Sequence, residues 1–485
     1  MAKTNQSISI SMIWNMLERV GTLGAQFLVS IVLARILMPE AYGTLSLVTV
    51  FVNLATVVVE TGFGSSIIQK KDIQKQEINI IFTFNLSVSI LLYSILFLCA
   101  PLIASFYDKY DFTLLTRVIR TYALVLPIGA VTSIQSAMIY RNMDFKAFFL
   151  VNILAILGSS TVGITSALMG AGVWALVFQQ LSSKTFLLLT QLFAVTWKPR
   201  LDFRFRKTIA MFRFGSNILL NRLLNMLYNQ TSSLVIGKHY TSDMLAFYSK
   251  GNMLPAIIAT NTDNALQKVM FSAYSKVQDD MTKVQAMMRK TISISTFLLC
   301  PLMFGMLSCS ENFVRVVLTD KWLPCVPYMQ IFCISFLLQP FSNTATQALD
   351  GIGRSDLSLR IGIFTKLAGI AIIVCAVYWG VLYVAFGVLL TSCLSAVVCM
   401  ITNKKFFGYS FRLQLSDIAG SLLNAISMGA VCFGVAYLCR SIAPIAALAL
   451  QIISGIIWYT AMAALFKNSN FIYLLNRYTP FKSKK

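Results

Sequence analysis

The sequence predicts an all-α, polytopic integral membrane protein of about 14 transmembrane helices, and three observations support this fold class. The 485 residues are 57% hydrophobic and only 12% charged, whereas soluble proteins carry about 25% charged residues. Fourteen apolar segments are long enough to cross ~30 Å of hydrocarbon, which takes ~20 residues of helix. Lys and Arg are also distributed unequally between alternate loops. These features exclude an ordinary globular domain.

The predicted spans follow one another closely along the chain. They cover residues 9–37, 41–66, 78–104, 113–139, 147–169, 172–195, 209–237, 243–271, 286–309, 324–349, 357–379, 381–402, 416–439 and 442–466. Several joints are very short, such as 169–172 and 378–381. Short connections of this kind join antiparallel neighbouring helices.

Loop charge predicts the orientation of the chain. If the N-terminus is cytoplasmic, the inner loops and tails hold 25 Lys and Arg residues and the outer loops hold five. An excess of Lys and Arg marks the cytoplasmic side, so both termini are expected inside. No outer loop exceeds about 15 residues, which leaves no room for an external catalytic domain. We therefore expect a transporter and not an enzyme.

Composition argues against several other functions. The net charge of +22 is spread between apolar segments, so membrane topology explains it better than nucleic-acid binding does. Nine of the ten cysteines lie in or beside apolar runs without a C-x-x-C motif, which is typical of small buried residues. With His239 as the single histidine, neither a metal site nor a cofactor is predicted.

The chain repeats itself weakly at an offset of about 210 residues. "FYDKY" at 106–110 follows the third span and "LTDKW" at 318–322 follows the ninth; Pro127 in the fourth span corresponds to Pro340 in the tenth. This order predicts two parallel six-helix lobes, 1–195 and 209–402, joined by a cytoplasmic linker at 196–208. Residues 403–485 are expected to add two transmembrane helices and a basic cytoplasmic tail.

Ionisable residues lie deep inside several predicted spans. A charge at the bilayer centre costs roughly 2.5–3.5 kcal/mol on insertion scales unless it faces protein or water. Ten basic residues but three clear acidic ones lie in or near the spans, and this cationic surplus favours an anionic, phosphate-bearing substrate. The predicted substrate-binding residues are Arg19, Lys184, Arg222, Lys250, Lys366, Asn221 and Asn225. The predicted ion-coupling residues are Glu18, Glu60 and Asp263.

The alternative for each of these residues is a structural role, because polar side chains also hold membrane helices together by pairing with one another. The chain contains no G-x-x-x-x-G-K-[ST] motif, so ATP hydrolysis is not expected. An ion gradient or the membrane potential is the expected source of energy.

The stretch "VLARILMPEAYGTLSLVTVFVNLATVVVETGFGSSIIQKK", residues 32–71, resembles the start of the polysaccharide transporter family. The matching residues are Leu33, Ala34, Arg35, Leu37, Pro39, Tyr42, Gly43, Gly62 and Gly64. This family comprises the Wzx-type flippases for O-antigen, capsule and exopolysaccharide units, within the multidrug/oligosaccharidyl-lipid/polysaccharide exporter superfamily. From its position near the outer surface, Arg35 is expected to be structural, and Gly62 and Gly64 to allow close packing.

The resemblance implies a fold of two six-helix lobes plus two C-terminal helices. It implies movement of an undecaprenyl-diphosphate-linked oligosaccharide across the bacterial inner membrane by alternating access. Polysaccharide polymerases and glycosyltransferases are the implied partners besides membrane lipid. A monomer is expected, because the path lies within one chain.

Two alternatives remain open at this stage. A drug/cation antiporter of the same superfamily is expected to have twelve spans and an acidic cavity. A polysaccharide polymerase or ligase is expected to have a large outer loop. The fourteen spans, the cationic surplus and the short outer loops favour the flippase.

Overall fold

The computed structural model describes residues 2–61, 67, 73–204, 209–466, 468 and 470–472. Within them the chain folds into α-helices joined by short connections. The helices are α1 (Ala2–Ile36), α2 (Pro39–Thr61), α3 (Lys75–Phe106), α4 (Phe112–Tyr122), α5 (Val125–Arg141), α6 (Phe145–Leu168), α7 (Val173–Ala194), α8 (Ile209–His239), α9 (Ser242–Lys276), α10 (Met281–Val317), α11 (Val326–Phe336), α12 (Gln339–Gly351), α13 (Ser355–Ala376), α14 (Val381–Phe407), α15 (Phe411–Leu438) and α16 (Pro444–Leu465). Short 3-10 helices cover Asp320–Cys325 and Val377–Trp379.

The all-α membrane fold is confirmed. Eleven stretches of the described residues are long and apolar enough to cross a membrane. The helices α7, α8 and α9 are not among them, and these helices carry Lys184, Arg222 and Lys250. Arg19 and Lys366, in contrast, lie on helices that are among the eleven. The number of fourteen spans is compatible with the fold and stays a prediction.

The fourth and the tenth predicted spans each consist of two helices, and proline explains both breaks. The first halves, α4 and α11, are 11 residues long. Pro127 and Pro340 each follow within the first turn of the second half. Because proline has no N–H and disfavours the preceding helical turn, the backbone tightens. The N–H of Leu126 bonds to the Ala123 carbonyl at 3.0 Å, and that of Leu338 bonds to Ser335 at 3.3 Å, three residues back in each case.

Two compact units, Met1–Ala246 and Phe247–Lys485, divide the chain. In the first unit α1 packs on α6, α6 on α7, and α2 on α8. The sequence repeat assigns α8 to the second lobe, whereas its contacts group it with the first unit. The lobe boundaries 1–195 and 209–402 therefore stay predictions about the evolutionary repeat.

The predicted linker begins as a well-anchored segment. Residues 195–204 contain neither helix nor strand. Trp197 is buried against Phe82, and its indole N–H donates to the Asn79 side chain at 2.9 Å. The backbone N–H of Asp202 donates to the Thr83 hydroxyl at 2.7 Å. These bonds fix the start of the linker to α3; residues 205–208 lie outside the described part of the chain.

The last two helices belong to the second unit and pack on α10. An apolar cluster joins them, with Phe297 and Cys300 from α10, Met428 from α15 and Tyr459 from α16. The Tyr459 hydroxyl donates to the Phe297 carbonyl at 2.8 Å. The two C-terminal helices that lie outside the repeat therefore pack mainly on α10.

Gly43, one of the residues that carry the family resemblance, lies where two helices touch. A Cβ atom at this position would lie 1.8 Å from the backbone oxygen of Ser242, at the start of α9. Leu33, Ala34 and Leu37, from the same string, are buried. The described part of the string therefore serves helix packing, and Gly62 and Gly64 lie outside the described residues.

We expect Gly43→Ala to destabilise the protein by about 1–3 kcal/mol, the usual cost of overpacking. The clash is with backbone atoms, so a change of side-chain rotamer does not relieve it. Thermal unfolding of the purified protein in detergent measures the effect. Gly129→Ala on α5 is the matched control, because a Cβ there meets nothing within 4 Å and alanine favours helix. Equal stability of the two variants would contradict this prediction.

Candidate functional site

Four of the five predicted substrate-binding cations lie within about one turn of the midpoint of their helices. Arg19 is central in α1, Lys184 in α7, Arg222 in α8 and Lys366 in α13. Their depth in the membrane stays a prediction, because α7 and α8 are not among the stretches long and apolar enough to cross it and the apolar stretch of α1 begins at Met16. Mid-span cations are costly in lipid and are expected to face protein or water.

The surroundings of Arg19 are set by the packing of α1 on α6. Trp14 and Gly21 contact the ring of Phe149, with the Trp14 and Phe149 ring centroids 5.8 Å apart. Between these contacts the amide of Asn152 donates to the Glu18 carboxylate at 3.1 Å. Glu18 is half-buried in this joint, while the neighbouring Arg19 is exposed. Glu18 therefore holds two helices together and leaves Arg19 on the open side of α1.

The helix α8 presents a polar row next to Arg222. Arg222, Asn225 and Asn229 are all exposed, and they follow one another at helical spacing. The side chain of Asn221 lies outside the described residues. Lys184 on α7 and Lys366 on α13 are half-buried. Exposed amides beside an exposed guanidinium provide donors for phosphate and hydroxyl oxygens.

Lys250 has different surroundings from the other four cations. Its side chain is 8% exposed, and its Nζ lies 5.6 Å from the centroid of the fully buried Trp322 ring. It also lies only two turns into α9, close to the 3-10 helix that carries Trp322. A cation over a buried indole is stabilised by the ring quadrupole. This contact gives Lys250 a packing role within the second unit.

Asp263 lines a small oxygen-rich niche between α9, α10 and α12. The niche has a volume of about 10 Å³ and is lined by Thr262, Asp263, Ser295 and Gln339 together with three apolar residues. Such a volume holds about one water molecule or ion. The amide of Asn343 donates to the Asp263 carboxylate. Among the described residues, none provides a hydrogen-bond partner for the buried Oε1 of Gln339. Carboxylate, hydroxyl and amide oxygens are the ligands that hard cations prefer.

The structure shows no comparable niche beside the described part of the other two predicted ion-coupling residues, Glu18 and Glu60. Glu18 forms the joint to Asn152 already described. The side chain of Glu60, at the end of α2, lies outside the described residues. Asp263 is therefore the acidic residue for which the structure provides a site of ionic size.

The structure contains a strong ion pair, between Arg289 and Asp417, that the sequence did not predict. Arg289 donates to the Asp417 carboxylate through Nε and Nη2, at 2.7 Å each, and the Tyr409 hydroxyl donates to the same carboxylate at 2.7 Å. Burial raises the pKa of Tyr409, so the phenol stays a donor. The pair joins α10 to α15 and is structural. Its members lie 128 residues apart, so no local motif reveals it.

Comparison of the fold with solved structures shows the same architecture in two transporters. The structure of the lipid II flippase MurJ in an inward closed conformation matches 94% of this chain and 99% of its own, with a TM-score of 0.73 and 12% identity. An inward-facing multidrug resistance MATE family transporter of the MOP superfamily matches 85% of this chain and 98% of its own, with a TM-score of 0.60 and 14% identity. At these identities the likeness establishes the fold.

Sequence relatives cover most of the chain. The lipopolysaccharide biosynthesis protein WzxC of Escherichia coli (strain K12) is 24% identical over 84% of this chain and 82% of its own length. The teichuronic acid biosynthesis protein TuaB of Bacillus subtilis (strain 168) is 25% identical over 79% of both chains. The succinoglycan biosynthesis transport protein ExoT of Rhizobium meliloti (strain 1021) is 22% identical over 83% of this chain and 79% of its own.

A family model described as "Polysaccharide biosynthesis protein" matches residues 32–327. The match begins at the string that carries the resemblance and extends over more than half of the chain. It confirms the family predicted from that string. The chain belongs to the polysaccharide biosynthesis protein family.

Proposed function

We propose that this protein is a flippase that moves an undecaprenyl-diphosphate-linked oligosaccharide from the inner to the outer leaflet of a bacterial inner membrane. The observation that carries the proposal is the set of four cations near the middle of their helices, Arg19, Lys184, Arg222 and Lys366. A diphosphate-linked sugar is an anion with many hydroxyl groups, so it needs cationic and amide donors along its path.

The relatives support the same function. WzxC and TuaB are named for the biosynthesis of surface polysaccharides, and ExoT for succinoglycan transport. MurJ, whose fold this chain shares, is named a lipid II flippase. Sequence relatives that are named for different polysaccharides favour transport of a lipid-linked intermediate, because such an intermediate is a common requirement of these pathways.

In this proposal the guanidinium of Arg222 and the amide of Asn225 hold the diphosphate or the adjoining sugar. Arg19, Lys184 and Lys366 are the further cations that bind the anion during transport, and the lipid tail stays in the hydrocarbon. Lys250 has the packing role described above. Transport proceeds by alternating access, with both termini cytoplasmic, and the protein acts as a monomer.

We also propose that Asp263 couples transport to an ion gradient. Its niche has room for one ion, and the buried Gln339 oxygen supplies an acceptor that the described part of the chain leaves unsatisfied. Occupation of the niche by a proton on Asp263 or by a hard cation changes the charge between α9, α10 and α12. Such a change shifts the balance between two conformations only if the ion binds one of them more tightly.

The drug/cation antiporter is the less favoured function, because a cationic drug would be repelled by the four mid-span cations. A polysaccharide polymerase or ligase is also less favoured, since the connections between the described helices are short.

The experiment that tests the proposal measures the lipid-linked oligosaccharide pool in cells that lack this protein, with and without the wild-type gene. We expect the undecaprenyl-linked unit to accumulate on the cytoplasmic side and surface polymer to be lost, with both reversed by the gene. Accumulation of unpolymerised unit on the outer leaflet instead would contradict the proposal, since the flip would then proceed without the protein.

A further inference from the structure

The second compact unit contains a large cavity that the proposed transport path does not use. It has a volume of about 750 Å³ and lies where α10 and α15 end and α16 begins. This volume falls within the range of ligand-binding pockets, about 300–1,000 Å³. In the orientation predicted from loop charge, this end of the helices lies at the outer surface of the membrane.

The cavity carries a positive charge. Its charged lining residues are Glu311, Arg315 and Arg440. Arg315 lies in the last turn of α10, not in a loop as the sequence indicated, and its Nη2 lies 3.0 Å from the Glu311 carboxylate. The Arg440 guanidinium lies 4.7 Å from the centroid of the Tyr437 ring. Within the described residues no carboxylate lies within 4.0 Å of Arg440, so one cation of the lining is uncompensated.

The start of α16 adds donors of the same kind. Pro444 and Ala447 line the cavity, and Ala443 provides no side-chain cap. The first N–H groups of a helix have no acceptor within it, and this holds for those of Ile445 and Ala446 at the start of α16. A helix N-terminus binds anions through such groups and through the helix dipole. A guanidinium and a helix N-terminus therefore serve one cavity.

The wall of the cavity is held in shape by bonds that do not involve these donors. The Asn312 amide donates to Gln451 at 2.8 Å, and the Gln330 amide donates to Ser310 at 3.0 Å. A favourable interaction with the end of α15 accounts for an arginine at position 440. It does not account for a cavity of this volume or for an uncapped helix start beside it.

Exposed apolar side chains lie among the lining residues or next to them along the chain. Tyr437, Leu438 and Ile445 are 67%, 78% and 70% exposed, and in a membrane such side chains face lipid. A ligand that fits both the cationic lining and these apolar side chains has an anionic head and an apolar chain.

We propose that this cavity binds the phosphate headgroup of a membrane lipid. Two lipids carry this chemistry: an anionic phospholipid of the bilayer, and a polyprenyl phosphate of the kind that carries the oligosaccharide. The headgroup phosphate accepts from Arg440 and from the N–H groups of Ile445 and Ala446, and the chains lie along α15 and α16. The lining given above includes none of Arg19, Lys184, Arg222 and Lys366, and this proposal does not depend on the proposed transport.

The test measures binding of three short-chain lipids to the purified full-length protein in detergent. They are dioctanoyl phosphatidylglycerol, farnesyl phosphate and, as a lipid without net charge, dioctanoyl phosphatidylcholine. The variants are Arg440→Gln, Arg440→Lys and, as the matched control, Arg412→Gln. Arg412 is an exposed arginine at the opposite end of the same helix, α15.

We expect at least one of the two anionic lipids to bind saturably and phosphatidylcholine to bind much more weakly. Arg440→Gln is expected to weaken the binding by roughly tenfold, as loss of one charge-assisted bond does, while Arg440→Lys and Arg412→Gln change it little. The anionic lipid whose affinity depends on Arg440 identifies the source of the headgroup. Equal binding of all three lipids, absence of saturable binding, or an equal loss in Arg412→Gln would overturn the proposal. Binding is measured without transport, so this result is independent of the flippase test.

Discussion

Replacing Arg222 by alanine is expected to slow movement of the lipid-linked oligosaccharide by about tenfold to a hundredfold, which corresponds to one charge-assisted bond of 1.5–3 kcal/mol. Arg222 lies near the middle of α8 beside two exposed asparagines. Alanine removes the charge and all five donors of the guanidinium. The size of the undecaprenyl-linked pool in complemented cells, together with the amount of surface polymer, measures the effect.

Two variants separate this role from a general effect of charge. Arg222→Lys keeps the cation but loses the planar fork, and we expect it to recover part of the activity. Arg412→Ala removes an exposed arginine far from mid-span and is expected to retain full activity. Transport by Arg222→Ala at the wild-type rate, with normal insertion in the membrane, would show that the mid-span cations do not bind the substrate.

Asp263→Asn is expected to lower gradient-driven transport by about tenfold or more, because it removes the ionisable group while keeping the size of the side chain. An amide does not bind a proton near neutral pH, and it binds a hard cation more weakly than a carboxylate does. The measurement compares transport with and without an imposed ion gradient. The wild type is expected to respond to the gradient, and the variant is not.

Asp356→Asn is the matched control for this experiment. Asp356 is an exposed carboxylate in the first turn of α13, and it pairs with the nearby Arg354 at 3.1 Å. Its loss is expected to change transport by less than about twofold, the usual scale for an exposed ion pair. A gradient response that survives in Asp263→Asn would place the coupling ion elsewhere.

Much of the fold followed from the sequence because bilayer thickness fixes the length of apolar segments. The segment predicted at 172–195 is α7, Val173–Ala194, and that at 147–169 is α6, Phe145–Leu168. The repeat also paired Pro127 with Pro340, and both prolines mark a broken span. Helix ends were less well predicted, since α10 continues to Val317 where a loop was expected from residue 310. A helix that extends beyond the hydrocarbon is no longer marked by hydropathy.

The candidate site was only partly accessible from the sequence. Position within a helix follows from the hydrophobic pattern, and Arg19, Lys184 and Lys366 lie near the middle of α1, α7 and α13. Their depth in the membrane and their role in binding stay predictions. The burial of a side chain does not follow from its position in a helix. Lys250, for example, is buried against Trp322, which lies 72 positions away along the chain. The niche beside Asp263 likewise depends on Gln339, which belongs to another helix. Contacts of this kind arise from helix packing and leave no local pattern.

The most direct test uses purified protein in liposomes that contain an undecaprenyl-diphosphate-linked oligosaccharide. A membrane-impermeant sugar-modifying reagent then reports the fraction of the lipid that is exposed on the outer leaflet over time. We predict that wild-type protein brings initially inner-leaflet substrate within reach of the reagent, that an ion gradient accelerates this movement, and that Arg222→Ala slows it. If the inner-leaflet lipid stays equally inaccessible to the reagent in liposomes with and without the protein, this result would contradict a flippase function.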